Sequence, residues 1–219
     1  MQELARSGRP VVRLDSVLPA LREQDRLPEN AVAVTFDDGY RDNFECALPI
    51  LDEFEIPATF FVATSFIGVD LAFPRYSTCC ERDGFMSWEQ VAELASRGHE
   101  VGGHGRTHRE LAGLTPQEIL SEAKGCRDDI RLQAGVDARL FCYPRGSEGA
   151  HVRELVERAG FEGACTVSPG ANRPGQAPFG LLRTEVSGED GLSDFRSKLN
   201  GAFDAWHRFL QHVQTWRHG

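Results

Sequence analysis

The sequence predicts an α/β fold whose parallel sheet curls into a barrel. Short apolar, β-branched runs alternate with stretches of helical spacing, the pattern of strands joined by crossover helices. Polar residues gather directly after several of those runs, at Asp37-Asp38, at His104 and over 143–146. Those strand ends are where parallel α/β folds place their sites, and a barrel brings all of them to one mouth. With 219 residues, 41% hydrophobic and 26% charged, the chain suits one domain over 1–219 with a sizeable core.

The elements follow in order. Residues 15–22 read as a short helix with Val17, Leu18 and Leu21 on one face, and 27–30 (LPEN) as a turn. AVAVTF at 31–36 is a buried strand ending in Asp37-Asp38-Gly39. Helical spacing runs over 43–54 through Phe44, Ala47, Leu48 and Leu51, and Pro49 predicts a kink or an early stop. ATFFVAT at 58–64 is a second buried strand, and 66–84 is a long loop.

Ser87 and Gln90 make a capping box for a helix through Arg97 that stops at Gly98. HEVGGH at 99–104 is the third strand. Thr115, Pro116 and Glu118 open a long helix towards Gln133. RLFCYP at 139–144 is the fourth strand, 150–159 a helix ended by Gly160, GACTV at 163–167 the fifth strand and LLRTEV at 181–186 the sixth. Ser193 caps a final helix towards His212, whose apolar residues, Phe195, Leu199, Phe203, Trp206 and Leu210, pack against the barrel.

A net charge of −9 argues against nucleic acid or an anionic membrane surface as main partner, since phosphate binding needs clustered cations. No stretch approaches the ~18 apolar residues of a membrane span. The polar start lacks an apolar signal core, so the chain as given reads as cytoplasmic. Six cysteines, Cys46, Cys79, Cys80, Cys126, Cys142 and Cys165, are scattered with no CxxC pair, which argues against a disulfide framework and a thiolate zinc site. The vicinal Cys79-Cys80 reads as two small loop residues.

Two adjacent carboxylates at the end of an apolar strand are costly to bury unless something compensates, and a metal would do so. By itself Asp37-Asp38-Gly39 reads equally as a polar turn. His104 and His108 are four apart; a helical turn over 105–108 would put both imidazoles on one face at chelating separation. Joined, one of the two aspartates with His104 and His108 makes a facial triad with open positions, suited to a divalent transition metal. Zinc is the first choice, with cobalt, iron, manganese or nickel as alternatives.

TFDDGY at 35–40 resembles the first motif of the NodB-type polysaccharide deacetylases, carbohydrate esterase family 4. HGRTH at 104–108 resembles the second, H-S/T-x-x-H, and CYPRG at 142–146 the third, in its Y-P-x-G form. The resemblance spans roughly 31–188 and implies a distorted (β/α)7 barrel. It implies Asp37 as general base, with Asp38, His104 and His108 as metal ligands. The Arg145 backbone N–H would bind the oxyanion. The substrate would be an N-acetylated sugar or polysaccharide, lined by Tyr40, Tyr143, Pro144 and Gly146, and the reaction metal-assisted attack of water on an acetamide carbonyl.

Three departures qualify this. Gly105 stands where the family has Ser or Thr, whose hydroxyl supports the histidine loop, so looser ligand geometry is expected. Cys142 replaces the Arg that pairs with the base; Arg183 could supply that charge or could be a surface arginine. The family's acidic histidine is not evident, in its C-terminal motif or on the N-terminal strand that a permuted branch uses. His151, His207, His212 and His218 are the candidates, each also readable as a solvated histidine. Whether the barrel's first strand belongs to the chain therefore stays open, as do an impaired carbohydrate-binding relative and an amidohydrolase of another small amide. Tyr143 could pack the barrel mouth or line the pocket. Trp88 reads as a core residue, and Phe73, Tyr76 and Phe85 as aromatic platforms for a sugar ring.

Overall fold

The structure, a computed structural model, describes residues 1–22, 26–70 and 84–202. Five parallel strands form one sheet in chain order: β1 (Val34–Phe36), β2 (Ala58–Val62), β3 (Glu100–Gly103), β4 (Leu140–Cys142) and β5 (Gly163–Cys165). The helices are α1 (Gln2–Arg6), α2 (Val17–Leu21), α3 (Leu48–Glu53), α4 (Trp88–Ser96), α5 (Pro116–Ala134), α6 (Ala150–Arg158) and α7 (Leu192–Leu199). The sheet curls into a half-barrel, and each edge is continued by one isolated parallel bridge, Val11 to Val32 and Cys165 to Leu181. No helix among the described residues is long and apolar enough to cross a membrane.

Strand alternation sends side chains to two faces. On the outer face Phe60, Val62, Val101, Phe141 and Ala164 pack with helix residues such as Leu94, Ile119 and Val156. On the inner face Phe61, Leu140, Cys142 and Cys165 pack with Leu14, Val17, Leu18 and Leu21, so α2 and the turn before it fill the barrel's interior.

Local signals behave as their chemistry predicts. Both capping boxes form, Ser87 with Gln90 and Thr115 with Glu118, and α5 ends on the left-handed Gly135. Four expectations need correction. The first run contributes a strand only over Val34–Phe36, and that strand is partly exposed, because it lies beside the sheet's edge. Before Pro49 the chain makes a π-helical turn over Asn43–Ala47; the wider turn removes the clash between the proline ring and a carbonyl one turn back.

The sixth strand shrinks to the bridge at Leu181. Arg183 Nε donates to Thr166 O (3.0 Å), the acceptor for the next rung, so the Arg183 N–H goes to Ser168 O (2.9 Å) instead. The last helix is capped by Gly191, whose N–H donates to Asp194 Oδ2 (3.0 Å), and Ser193 lies inside its first turn. Phe195 and Leu199 pack against the core; Phe203, Trp206 and Leu210 lie outside the described residues.

Candidate functional site

The strand ends converge as expected. After β1 the chain turns sharply, with Gly39 N donating to Asp37 O (2.9 Å), and Asp38 takes a left-handed φ of 71°. This turn separates the two carboxylates: Asp38 faces the histidines, and Asp37 faces Arg183 and Cys142. After β3, His104 N still bonds to Val62 O (2.9 Å), which extends the ladder by one residue. The loop that follows is not the expected helical turn, because Gly105 (φ 76°) and His108 (φ 55°) are both left-handed. It nevertheless brings the imidazoles to 4.8 Å between centroids.

Asp38 Oδ1 lies 3.4 Å from His104 Nε2 and 3.2 Å from His108 Nε2. His104 Nδ1 lies 2.8 Å from the Cys142 carbonyl. A carbonyl only accepts, so Nδ1 carries the proton in the neutral ring and Nε2 presents its lone pair to the cluster, the tautomer a metal ligand requires. Asp38, His104 and His108 together could hold a metal ion. Asp37, His104 and Cys142 are equally close, but the Arg183 guanidinium lies 2.8 Å from Asp37 and 3.0 Å from Cys142 Sγ and would repel a cation there.

Arg183 was the open alternative for the missing motif arginine, and it reaches Asp37. Nη1 donates to Oδ1 and Nη2 to Oδ2, each at 2.8 Å, and Nη1 also reaches Thr35 Oγ1 (3.1 Å). Burial by itself would raise the Asp37 pKa; the Arg183 hydrogen bonds and the nearby His104 outweigh it and hold the carboxyl below its ordinary value. Burial likewise opposes ionisation of Asp38, and hydrogen bonds from His104 and His108 hold its pKa well down. Burial opposes a charged His104, yet Cys142, Asp38 and Asp37 raise its pKa well above the ordinary value.

The third-motif turn lies beside this cluster. Arg145 has a left-handed φ of 55°, and its side chain is exposed towards Glu110 (3.6 Å). At Gly146 (φ 67°) a Cβ would sit 2.3 Å from Val167 Cγ2, so this turn requires glycine there. Tyr143, expected to line the pocket if it did not pack the mouth, is fully buried on the outer face; it meets Phe141 edge-on and donates its hydroxyl to Phe179 O (3.1 Å). Pro144 is buried as well.

Tyr40 is half-buried and stacks on Phe85 (4.9 Å), which stacks in turn on Phe66 (5.1 Å). Phe85 is only 1% exposed, so it supports Tyr40 and offers no sugar platform of its own. Trp88 packs against the core. His151 is exposed on α6. Phe73, Tyr76, Cys79, Cys80, His207, His212 and His218 lie outside the described residues.

Glu122 was not anticipated. The buried stripe of α5 runs Ile119, Glu122, Ala123, Cys126, Ile130, so a carboxylate stands in an apolar helix face, and that was its available signal. It accepts hydrogen bonds from Arg106 and Thr107 in the histidine loop.

A model of the polysaccharide deacetylase family matches residues 24–164. The chain belongs to that family. Among its relatives, YxkH of Bacillus subtilis (strain 168) is 31% identical over 165 residues, covering 75% of this chain and 54% of that protein. The poly-β-1,6-N-acetyl-D-glucosamine N-deacetylase of Escherichia coli (strain K12) is 23% identical over an alignment of 226 residues, 90% of this chain and 34% of that enzyme. The chain thus spans about half the length of the first and a third of the second.

Solved deacetylase-family structures share the fold. IcaB from Ammonifex degensii superposes with a TM-score of 0.75 at 26% identity, covering 90% of this chain and 85% of that one. Streptococcus pyogenes deacetylase PplD, solved with acetate, gives 0.78 at 20% identity, covering 90% and 83%. The half-barrel therefore has the fold of the deacetylase barrel.

Proposed function

We propose that this chain is a metal-dependent hydrolase that removes N-acetyl groups from N-acetylhexosamine units of a glycan or glycan precursor. The observation that carries the reading is the convergence of Asp38, His104 and His108 beside a carboxylate, Asp37, that Arg183 keeps ionised. The activity that gives the E. coli relative its name, on poly-β-1,6-N-acetyl-D-glucosamine, supports the substrate class.

Asp38 Oδ1 and the two Nε2 atoms would hold the metal. Two imidazoles and one carboxylate favour zinc, with cobalt, iron, manganese or nickel as alternatives. When bound, the metal supplies a Lewis acid for the acetyl carbonyl. Asp37 takes the proton of the attacking water, and its depressed pKa keeps it ready to do so at neutral pH. The Arg145 N–H, on the turn after β4, donates to the oxyanion. Tyr40 and Gly146 border the sugar, whereas the buried Tyr143 and Pro144 act from behind, by fixing the turn that carries Arg145.

Acetate release from N-acetylglucosamine oligomers tests this, with metal content measured alongside. Asp37→Asn should keep its metal and lose about 10²–10⁴-fold in kcat. Undiminished turnover would remove the base assignment. A metal-loaded wild type that releases no acetate from any oligomer would remove the substrate class.

A further inference from the structure

Gly105 leaves the histidine loop without the hydroxyl found there in the family, yet the loop is firmly tied. Glu122 is 7% exposed on α5. Its Oε2 accepts from Arg106 N and Thr107 N, each at 2.8 Å, and its Oε1 accepts from Thr107 Oγ1 at 2.6 Å. One carboxylate thus binds the two residues between Gly105 and His108. Asp129, further along the same helix, accepts from Arg106 Nε (2.8 Å) and Nη2 (3.0 Å) and from Thr64 Oγ1 (2.8 Å), tying the loop to the end of β2.

Gly105 and Glu122 are a matched pair. Gly105 is left-handed, and a Cβ on it would lie 3.2 Å from Glu122 Oε2. A Ser or Thr at 105 would be strained by its backbone and crowded by the carboxylate. The loop therefore admits one support or the other, and this chain uses the carboxylate.

We propose that Glu122 is the positioning residue of the paired histidines: by anchoring the Arg106 and Thr107 amides it sets His108 against His104 and Asp38, so that the cluster is shaped before a divalent metal arrives. This rests on the metal reading above. Partners that orient metal ligands in this way typically matter 10–100-fold to affinity.

Cobalt(II) titration of the purified full chain tests it, using the d–d absorption spectrum as a report of ligand geometry and amide hydrogen exchange of the metal-free protein as a second readout. Glu122→Gln removes the charge from the two N–H···O bonds and puts an amide NH2 in place of the oxygen that accepts from Thr107 Oγ1. It should weaken cobalt binding at least tenfold, alter the spectrum and speed exchange at Arg106 and Thr107. Thr107→Val, a mild change at an exposed residue, should do the same to a smaller degree, so the test survives if Glu122→Gln fails to fold. Unchanged affinity and spectrum in both variants, with only a lower Tm, would make Glu122 merely structural and overturn the proposal. If the wild type binds no cobalt the metal reading falls separately, and unaltered exchange at Arg106 and Thr107 would then overturn the anchoring.

Discussion

Arg183 donates to both oxygens of Asp37, at 2.8 Å each, and in doing so crosses the open edge of the barrel. Its backbone lies beyond β5, bonded to Ser168, while Asp37 and Thr35 belong to β1 and its turn. The same side chain interrupts the sixth strand and secures the carboxylate of the first.

This pairing predicts unequal outcomes for two substitutions. Lysine offers one point charge in place of a planar fork. Arg183→Lys should lower kcat roughly tenfold to a hundredfold and shift the acidic limb of the pH–rate profile upwards, because Asp37 loses hydrogen bonds that hold its pKa down. Arg183→Met should do more and also cost on the order of 2 kcal/mol in urea unfolding, since it leaves a half-buried carboxylate without its partner. An unmoved acidic limb in both variants would disconnect Arg183 from Asp37 ionisation.

Metal binding should compete with protons. In the metal-free protein the pKa of His104 is raised well above its ordinary value, so a metal at Nε2 must displace a proton held there. Affinity for zinc or cobalt should rise with pH across the neutral range, by up to about tenfold per pH unit for each proton released. Calorimetry in buffers of different ionisation enthalpy counts those protons. A chelator should abolish turnover and added metal should restore it. Binding with no proton release would contradict the assignment of His104.

A second titration lies at the barrel's other end. Glu100 is 5% exposed and donor-paired to Thr59 (2.8 Å), and burial pushes its pKa up to about 7. A carboxyl raised in the folded state holds its proton more tightly folded than unfolded. Its contribution is therefore full below about pH 4.5 and is lost as pH rises towards 7. Glu100→Gln should flatten that dependence and stabilise the protein at pH 8 by about 2–3 kcal/mol, raising Tm by several degrees. Scans at pH 5 and pH 8 decide it: equal slopes in both proteins would mean that Glu100 does not titrate in this window.

Tyr143→Phe separates packing from substrate contact. Losing the bond to Phe179 O should cost about 1 kcal/mol and leave KM for the sugar unchanged. A raised KM with no loss of Tm would put Tyr143 back in the pocket.

What was legible in the sequence, and what was not, follows from range. Caps are local, so Ser87, Gln90, Thr115 and Glu118 announced their helices. The residues after β1 and β3 were legible because strand ends in a parallel sheet share one side. The role of Arg183 depends on an approach between segments 146 positions apart, and no local pattern distinguishes that from a surface arginine. Tyr143 falls on the outer face of the strand register, which the motif letters do not state. Glu122 is a helix residue whose meaning comes from the loop above it.

Three of the five non-glycine residues with left-handed backbones among those described are Asp38, His108 and Arg145. Each such conformation costs an L-residue roughly 1–2 kcal/mol. Glycine would relieve that strain at all three positions. A library selected only for heat resistance would accordingly drift towards glycine at 38, 108 and 145, and would erase a carboxylate and an imidazole from the cluster as it did so. A library selected for turnover would keep the strained residues and accumulate its stabilising changes elsewhere. The two searches would part at the same three codons, which makes those codons a direct readout of what any given selection rewards.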